Sequence, residues 1–278
     1  METIAPGIYE GITNEDYHAG AGLSSTDLKR LAQSPLHYKT SKAGQCEETD
    51  AMRFGTAVHT AVLEPERFDD VYVRAPEGSR NSKAVKTAWA ELEEMGKVPL
   101  SSNDFEAIQG MRRAIFDHPL AGKWLTGGTS ELSGYWLQHV HDGGLDMDIL
   151  CKCRPDYLKE LGSQYVIIDL KTTRSAEARY FTKAAYWDYQ YHISAAHYLT
   201  GLEALRGVRA QGFIFIAVEK TPPYAVNVFE ASEEFIRAGE EANLELYRLF
   251  ASCQASGNWP GYPAVYQKLM LPRGVARN

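Results

Sequence analysis

The sequence predicts an α/β (α+β) fold on three observations: a front third patterned as helices, a middle that alternates apolar and polar residues, and a closing run of helix, two strands and helix. Composition agrees with a globular chain, since 44% of the 278 residues are hydrophobic, 23% charged and 11% aromatic. No repeat, low-complexity tract or Gly/Ser linker divides it. One domain over 1–278 is expected, with a mostly helical front end to about 120, a catalytic core over about 121–255 and a tail over about 256–278.

The elements follow in order. Ser24 or Ser25 supplies an N-cap for a short helix through 26–31 that Ser34-Pro35 ends, and 52–63 reads as a helix stopped before Pro65. Two more helices are predicted over 83–95 and 103–116. Strands are predicted over 131–140, 147–156 and 165–172, with Asp142-Gly143-Gly144 as a turn between the first two. A helix over about 178–199 follows, then strands over 211–218 and 224–229 around Thr221-Pro222-Pro223, and a last helix over about 233–251.

Charge and composition exclude several classes. Twenty-nine Lys and Arg against 36 Asp and Glu leave a net charge of −7, so no global positive field draws in a polyanion and any nucleic-acid site must be local. Arg53, the group Arg74, Arg80, Lys83 and Lys86, and Arg112-Arg113 are the local candidates. No run approaches the roughly 18 apolar residues of a membrane span, and the opening residues lack a signal-peptide pattern, so a cytoplasmic protein is expected. Cys46, Cys151, Cys153 and Cys253 read as free thiols, with Cys151 and Cys153 on one face of a strand. His139-x-His141 reads as a solvated hairpin tip. There is no G-x-S-x-G, G-x-x-x-x-G-K-[ST] or H-E-x-x-H, so ATP is not expected.

The informative stretch runs from Arg154-Pro155-Asp156 to Asp169-Leu170-Lys171 and reads as strand, turn, strand. In its second strand Val166, Ile168 and Leu170 share one face while Asp169 and Lys171 share the other. A hairpin folded about Gly162-Ser163 sets Asp156 opposite Asp169. Opposed carboxylates repel unless a positive group lies between them, and a hard divalent cation such as Mg²⁺ or Mn²⁺ is the natural occupant. Lys171 then lies within reach of a phosphate or water at that cation, an arrangement suited to phosphodiester hydrolysis. D-x-K alone is a common tripeptide, and a solvated surface hairpin is its plain rival.

Pro155-Asp156 followed by Asp169-Leu170-Lys171 resembles the PD-(D/E)xK nuclease signature. Leu23-Ser24-Ser25-Thr26-Asp27-Leu28, Ser34-Pro35-Leu36-His37-Tyr38, the run Phe54-Gly55-Thr56-Ala57-Val58-His59 continuing to Glu64-Pro65, Trp259-Pro260-Gly261-Tyr262 and Leu271-Pro272 are similar, in that order, to the RecE (exodeoxyribonuclease VIII) group of RecB-like nucleases. The resemblance implies a restriction-endonuclease-like core, a mixed sheet flanked by helices behind a helical N-terminal region. It implies a Mg²⁺-dependent exonuclease, with Mn²⁺ as substitute, that digests one strand of duplex DNA from its ends, 5′ to 3′. The 3′ tails it leaves would serve a single-strand annealing protein of the RecT/Bet type in phage or bacterial recombination. A ring-shaped homo-oligomer, trimer or tetramer, is implied as well, with no membrane involved.

Residue by residue, the resemblance implies that His59, Asp156, Asp169 and the Leu170 carbonyl bind the metal, that Lys171 assists the nucleophile and that Glu131 completes the acidic site. Ser25, Arg53, Gln190 and Tyr198 are the implied DNA contacts. Relatives carry Gln-x-x-x-Tyr on the helix after the catalytic strand, where this chain has Ser194 and Tyr198, and Gln190 lies four residues earlier on the same expected helix face. His59 in an apolar helix has a core histidine as its plain rival, and Glu131 a solvated strand residue. Some RecB-like nucleases hold an iron-sulfur cluster on four cysteines, but here Cys253 stands alone downstream, so none is expected. Two alternatives stay open: a non-catalytic DNA-binding recombination scaffold, and an endonuclease with the same site.

Overall fold

A computed structural model describes residues 4–44, 49–76, 78 and 82–270; Cys46, Arg80 and Leu271-Pro272 lie outside them. The front of the chain consists of β1 (Gly7–Tyr9), α1 (Asn14–Ala19), α2 (Ser25–Gln33), α3 (Pro35–Lys42), α4 (Asp50–Leu63), α5 (Pro65–Val71), β2 (Tyr72–Arg74), α6 (Lys83–Glu94), β3 (Val98–Leu100), α7 (Ser102–Asp117) and α8 (Ala121–Trp124). The rest consists of β4 (Thr129–Ser130), β5 (Ser133–Asp142), β6 (Leu145–Cys153), β7 (Tyr157–Leu161), β8 (Gln164–Thr173), α9 (Ala178–Lys183), α10 (Tyr191–Arg206), β9 (Gly212–Glu219), β10 (Val226–Glu230) and α11 (Glu233–Ser256).

Short polar side chains decide where the helices begin. Ser24 accepts from the Asp27 N–H while the Asp27 carboxylate accepts from the Ser24 N–H, and Thr49 and Ser101 cap α4 and α7 in the simpler one-bond form. The predicted helices at 26–31, 52–63, 83–95 and 103–116 are α2, α4, α6 and α7. The mixed five-stranded sheet has the order β10-β9-β8-β7-β4, with β8 and β9 parallel and the other pairs antiparallel. A three-stranded sheet, β1-β5-β6, stands beside it.

Helices cover both faces of the larger sheet, the architecture the sequence predicts. Tyr165 and Ile167 of β8 pack into a core with Leu28, Ile193, Leu199 and Tyr247, whereas Val166, Ile168 and Leu170 pack into a second core with Val58, Val62, Ile108 and Met111. Outside the small sheet, Leu23 bonds the edge of β6, donating to the Leu150 carbonyl at 2.8 Å and accepting from the Lys152 N–H at 3.0 Å.

Three predicted elements are corrected. The strand expected over 147–156 ends at Cys153; Pro155 has no N–H for a ladder, Arg154 is held by Ser133 Oγ and the Ile12 carbonyl, and the chain turns there into the other sheet. The strand expected from Glu131 starts at Ser133, because Glu131 has a left-handed backbone (φ 55). The helix expected over 178–199 is broken: α9 runs into a π-helical turn, Ala184–Asp188, and Gln190 turns left-handed (φ 49) before α10 begins. Ring contacts across the break, Tyr186 on His192 and Tyr189 on Tyr191, override the local helical pattern. Gln190 and Ser194 therefore do not share a helix face, contrary to the expectation.

Candidate active site

β8 carries three predicted residues in succession, and the ladder sets where each points. The carbonyls of Tyr165 and Thr173 accept from Gln211 and Lys220, so odd-numbered β8 residues turn their backbone toward β9 and even-numbered ones toward β7. The N–H of Leu170 points to the β7 side, where β7 has already ended, and donates instead to Asp156 Oδ2 at 2.7 Å. A strand residue's N–H and C=O point the same way, so the Leu170 carbonyl is aimed at the same edge.

The hairpin keeps the register that a turn at Gly162-Ser163 dictates: Leu161 faces Gln164 and Tyr157 faces Ile168, which sets Asp156 and Asp169 at the next step. Asp169 is 2% exposed, and the Lys171 ammonium lies against its Oδ1 as an ion pair, with no well-directed hydrogen bond reaching that oxygen. α4 brings in His59 from the opposite side, anchored because Ala57, Val58, Ala61 and Val62 fill the second core. His59 Nδ1 stands 3.5 Å from Asp156 Oδ1. The left-handed turn at Glu131, whose N–H donates to the Asp156 carbonyl at 3.2 Å, delivers a second carboxylate. Among the described residues, His59, Glu131 and Asp156 offer ligand atoms that all lie within 4.8 Å of one another. Asp169 stands outside that trio.

The charges interlock. Burial opposes ionisation of Asp156, but the His59 imidazole, Lys171 and the Leu170 N–H outweigh it and hold the carboxyl below its usual range. Burial and the neighbouring Asp156 charge push Glu131 up to about 7. Asp169 is raised by burial against the pull of Lys171. Burial would lower Lys171, yet Asp169 and Asp156 prevail and keep it protonated well above the ordinary range of an ammonium. His59 is raised too, its burial outweighed by Asp156. Two carboxylates, an imidazole and an outward-facing carbonyl form a donor set that a hard divalent cation fits.

The cluster opens into a cleft of about 520 Å³ that Tyr17, His59, Glu131, Asp156, Lys171 and Tyr198 help to line. Ser25 is buried at the start of α2 and hydrogen-bonds Tyr198, so these two of the four expected DNA contacts stand together. Arg53 is exposed on the first turn of α4 and ion-paired with Asp50, next to Met52, Gly55 and Thr56, which line the cleft. Ser194 is buried within α10. Arg74 is paired with Glu106, while Lys83, Lys86 and Arg113 are exposed on α6 and α7. His139 sits on the exposed β5–β6 hairpin, 2.9 Å from Asp148. Trp259 packs on Tyr38 and the Pro260 carbonyl accepts from Leu36, so two segments far apart in sequence meet.

Sequence reasoning missed three participants. Arg154 reaches both Ser133 Oγ and the Glu131 carboxylate, the latter at 3.5 Å. Lys29 and Lys171 each place an ammonium 5.2 Å from the Tyr191 ring. Arg154 had a signal in its place before Pro155-Asp156; Lys29 and Tyr191 had none, because their meeting depends on the broken helix.

A protein-family profile described as "PDDEXK-like domain of unknown function (DUF3799)" matches residues 24–267. Among solved structures, the chain is similar to the "Putative exonuclease" of Eubacterium rectale at 13% identity and a TM-score of 0.58, over 96% of this chain and 97% of that one. It is also similar to an alkaline exonuclease from Laribacter hongkongensis at 15% identity and a TM-score of 0.29, over 72% of this chain and 87% of that one. No curated protein matches.

Proposed function

The chain belongs to the PDDEXK-like family (DUF3799), and from that premise we propose that it is a divalent-metal-dependent exonuclease acting on the ends of double-stranded DNA. The observation that carries this reading is the meeting of His59, Glu131 and Asp156 within 4.8 Å of one another, beside the buried Asp169–Lys171 pair. His59, Asp156 and the Leu170 carbonyl would hold a Mg²⁺ ion, or Mn²⁺ in its place, with Asp169 as the remaining expected ligand. Such an ion supplies Lewis-acid charge at the phosphate and eases the deprotonation of water.

The chain's own groups divide the remaining work. Lys171 stays a cation at neutral pH, so it is a donor that steadies charge on the phosphate oxygens and the attacking water, and it is no proton acceptor. The acceptor is a carboxylate, and Glu131, raised to about 7, is matched to neutral pH. The water oxygen bonds to phosphorus and its proton passes to Glu131. The P–O3′ bond then breaks with its electron pair going to O3′, which takes a proton from solvent. Arg154 fixes the Glu131 carboxylate toward the cleft. Digestion 5′ to 3′, a ring of three or four subunits and delivery of 3′ tails to an annealing protein of the RecT/Bet type belong to this proposal through the resemblance to the RecE group.

Linear blunt duplex and circular duplex, incubated side by side in Mg²⁺ and in EDTA with the wild type and Lys171→Ala, test it. The expected result is loss of the linear DNA alone, requiring both the metal and Lys171. Cleavage of both substrates would make the protein an endonuclease, and cleavage of neither would make it a non-catalytic DNA-binding scaffold.

A further inference from the structure

The break between α9 and α10 leaves an aromatic step that reaches the candidate active site through Tyr191, whose ring lies 5.2 Å from the Lys171 ammonium. Three rings form a ladder: Phe215 in the core, Tyr191 on it at 5.7 Å and 24°, and Tyr189 on Tyr191 at 5.2 Å and 15°. The outermost rung, Tyr189, is 45% exposed, and Trp187, two positions earlier and edge-on to Tyr186, is 71% exposed. A continuous helix could not produce this arrangement. The π-helical turn Ala184–Asp188 and the left-handed Gln190 lift Trp187 and Tyr189 outward and fold Tyr189 back over Tyr191. Such distortion persists only where the surroundings hold it, and its product is two large apolar rings facing water.

Charge distinguishes this patch from an ordinary hydrophobic one. The middle rung of the ladder is where the ammoniums of Lys29 and Lys171 converge, each 5.2 Å from the Tyr191 centroid. Lys29 has no carboxylate within ion-pair distance among the described residues; its charged surroundings are Lys171 and, on the favourable side, Asp169. An exposed flat ring with cations one rung behind it is the pairing that holds a nucleotide, with the base on the ring and its phosphate on the ammonium.

We propose that Tyr189 and Trp187 form a stacking step for an unpaired nucleobase of the strand being cut, with Lys29 contacting the phosphate next to the one at Lys171. The inference rests on the nuclease reading of the adjoining site and adds to it a grip on one flipped or frayed end nucleotide. The step engages any base, because every base offers a π-face.

The test uses duplex DNA carrying 2-aminopurine at the terminal nucleotide, with the full chain in EDTA so that nothing is cut. Wild type quenches the fluorescence as the base stacks. Tyr189→Ala and Trp187→Ala each lose most of the quenching and bind about tenfold or more weakly, Tyr189→Phe restores both, and Lys29→Gln weakens binding and flattens its salt dependence. In Mg²⁺ the two alanine variants raise KM with little change in kcat. Quenching and KM unaltered in both alanine variants, while the wild type still degrades linear DNA, would overturn the stacking step and leave the nuclease intact. Loss of a self-associated species in Tyr189→Ala, with unaltered quenching, would assign the patch to a second copy of the chain instead. A wild type that neither binds nor cuts DNA would overturn both readings.

Discussion

Lys152 and Lys171 stand on neighbouring sheets, both in strands and both removed from bulk water, yet their surroundings treat the charge in opposite ways. Lys152 is 2% exposed; its ammonium donates to the Tyr17 and Gly20 carbonyls at 2.6 Å each, and burial brings its pKa down to about 8. Lys171 lies among carboxylates, which outweigh burial and hold it above the ordinary range. A lysine surrounded by carbonyl dipoles ties a loop to a sheet and bears the cost of desolvation. A lysine surrounded by carboxylates has its charge reinforced and keeps it available to a substrate.

The largest effect that would sharpen this contrast is on turnover. Lys171→Ala is expected to reduce degradation of linear duplex per folded molecule by at least 10²–10³-fold, roughly what removal of one pre-positioned donor costs. Asp169→Ala is expected to abolish degradation and to weaken Mn²⁺ binding in calorimetry. Lys152→Met should reverse the pattern, with activity per folded molecule kept and stability lowered by about 2–4 kcal/mol in denaturant titration, since two carbonyls lose their donor.

Metal affinity gives a smaller effect. The raised His59 must shed its proton before it ligates, and Glu131 at about 7 becomes an anion beside the ion over the same range, so Mn²⁺ binding measured calorimetrically is expected to tighten as pH rises through 7. Smallest is the alkaline limb of stability. Lys152 has a folded pKa below its ordinary 10.5, so between about 8 and 10.5 the unfolded chain holds more protons and stability rises with pH. Lys29, also at about 8, adds to that rise, whereas Lys171 contributes a loss only above 10.5. Melting curves across this range should flatten in Lys152→Met; an unchanged slope would break the contrast.

What could be read from the sequence depended on whether neighbours along the chain or neighbours in space set the outcome. The Gly162-Ser163 turn fixes the β7–β8 register by itself, so the meeting of Asp156 with the end of β8 was legible. Ser24 with Asp27 announces α2 for the same local reason. Glu131 was legible as a residue but not as a left-handed corner, because nothing beside it in sequence shows the Asp156 carbonyl that its N–H meets. The run 178–199 is helical in pattern, and only rings brought together by folding break it at Gln190. Nothing beside Lys152 in the sequence marks it for burial, because its partners Tyr17 and Gly20 lie more than a hundred positions upstream.

The short engagement of Leu23 with β6 has a consequence for how the protein behaves in company. Among the described residues, Leu23 occupies only the inner part of that edge, and the outer part, from Leu145 to Ile149, has no strand paired on its free side. It carries Asp146 and Asp148, both exposed, and a second copy approaching edge to edge would bring those carboxylates against its own. The same aspartates neighbour His139 across the hairpin, whose hydrogen bond to Asp148 favours its charged form, so acidification makes that imidazole cationic and cancels part of the repulsion. Resistance to fibrillar or amorphous self-association is thus built into this rim at neutral pH and weakens in acid.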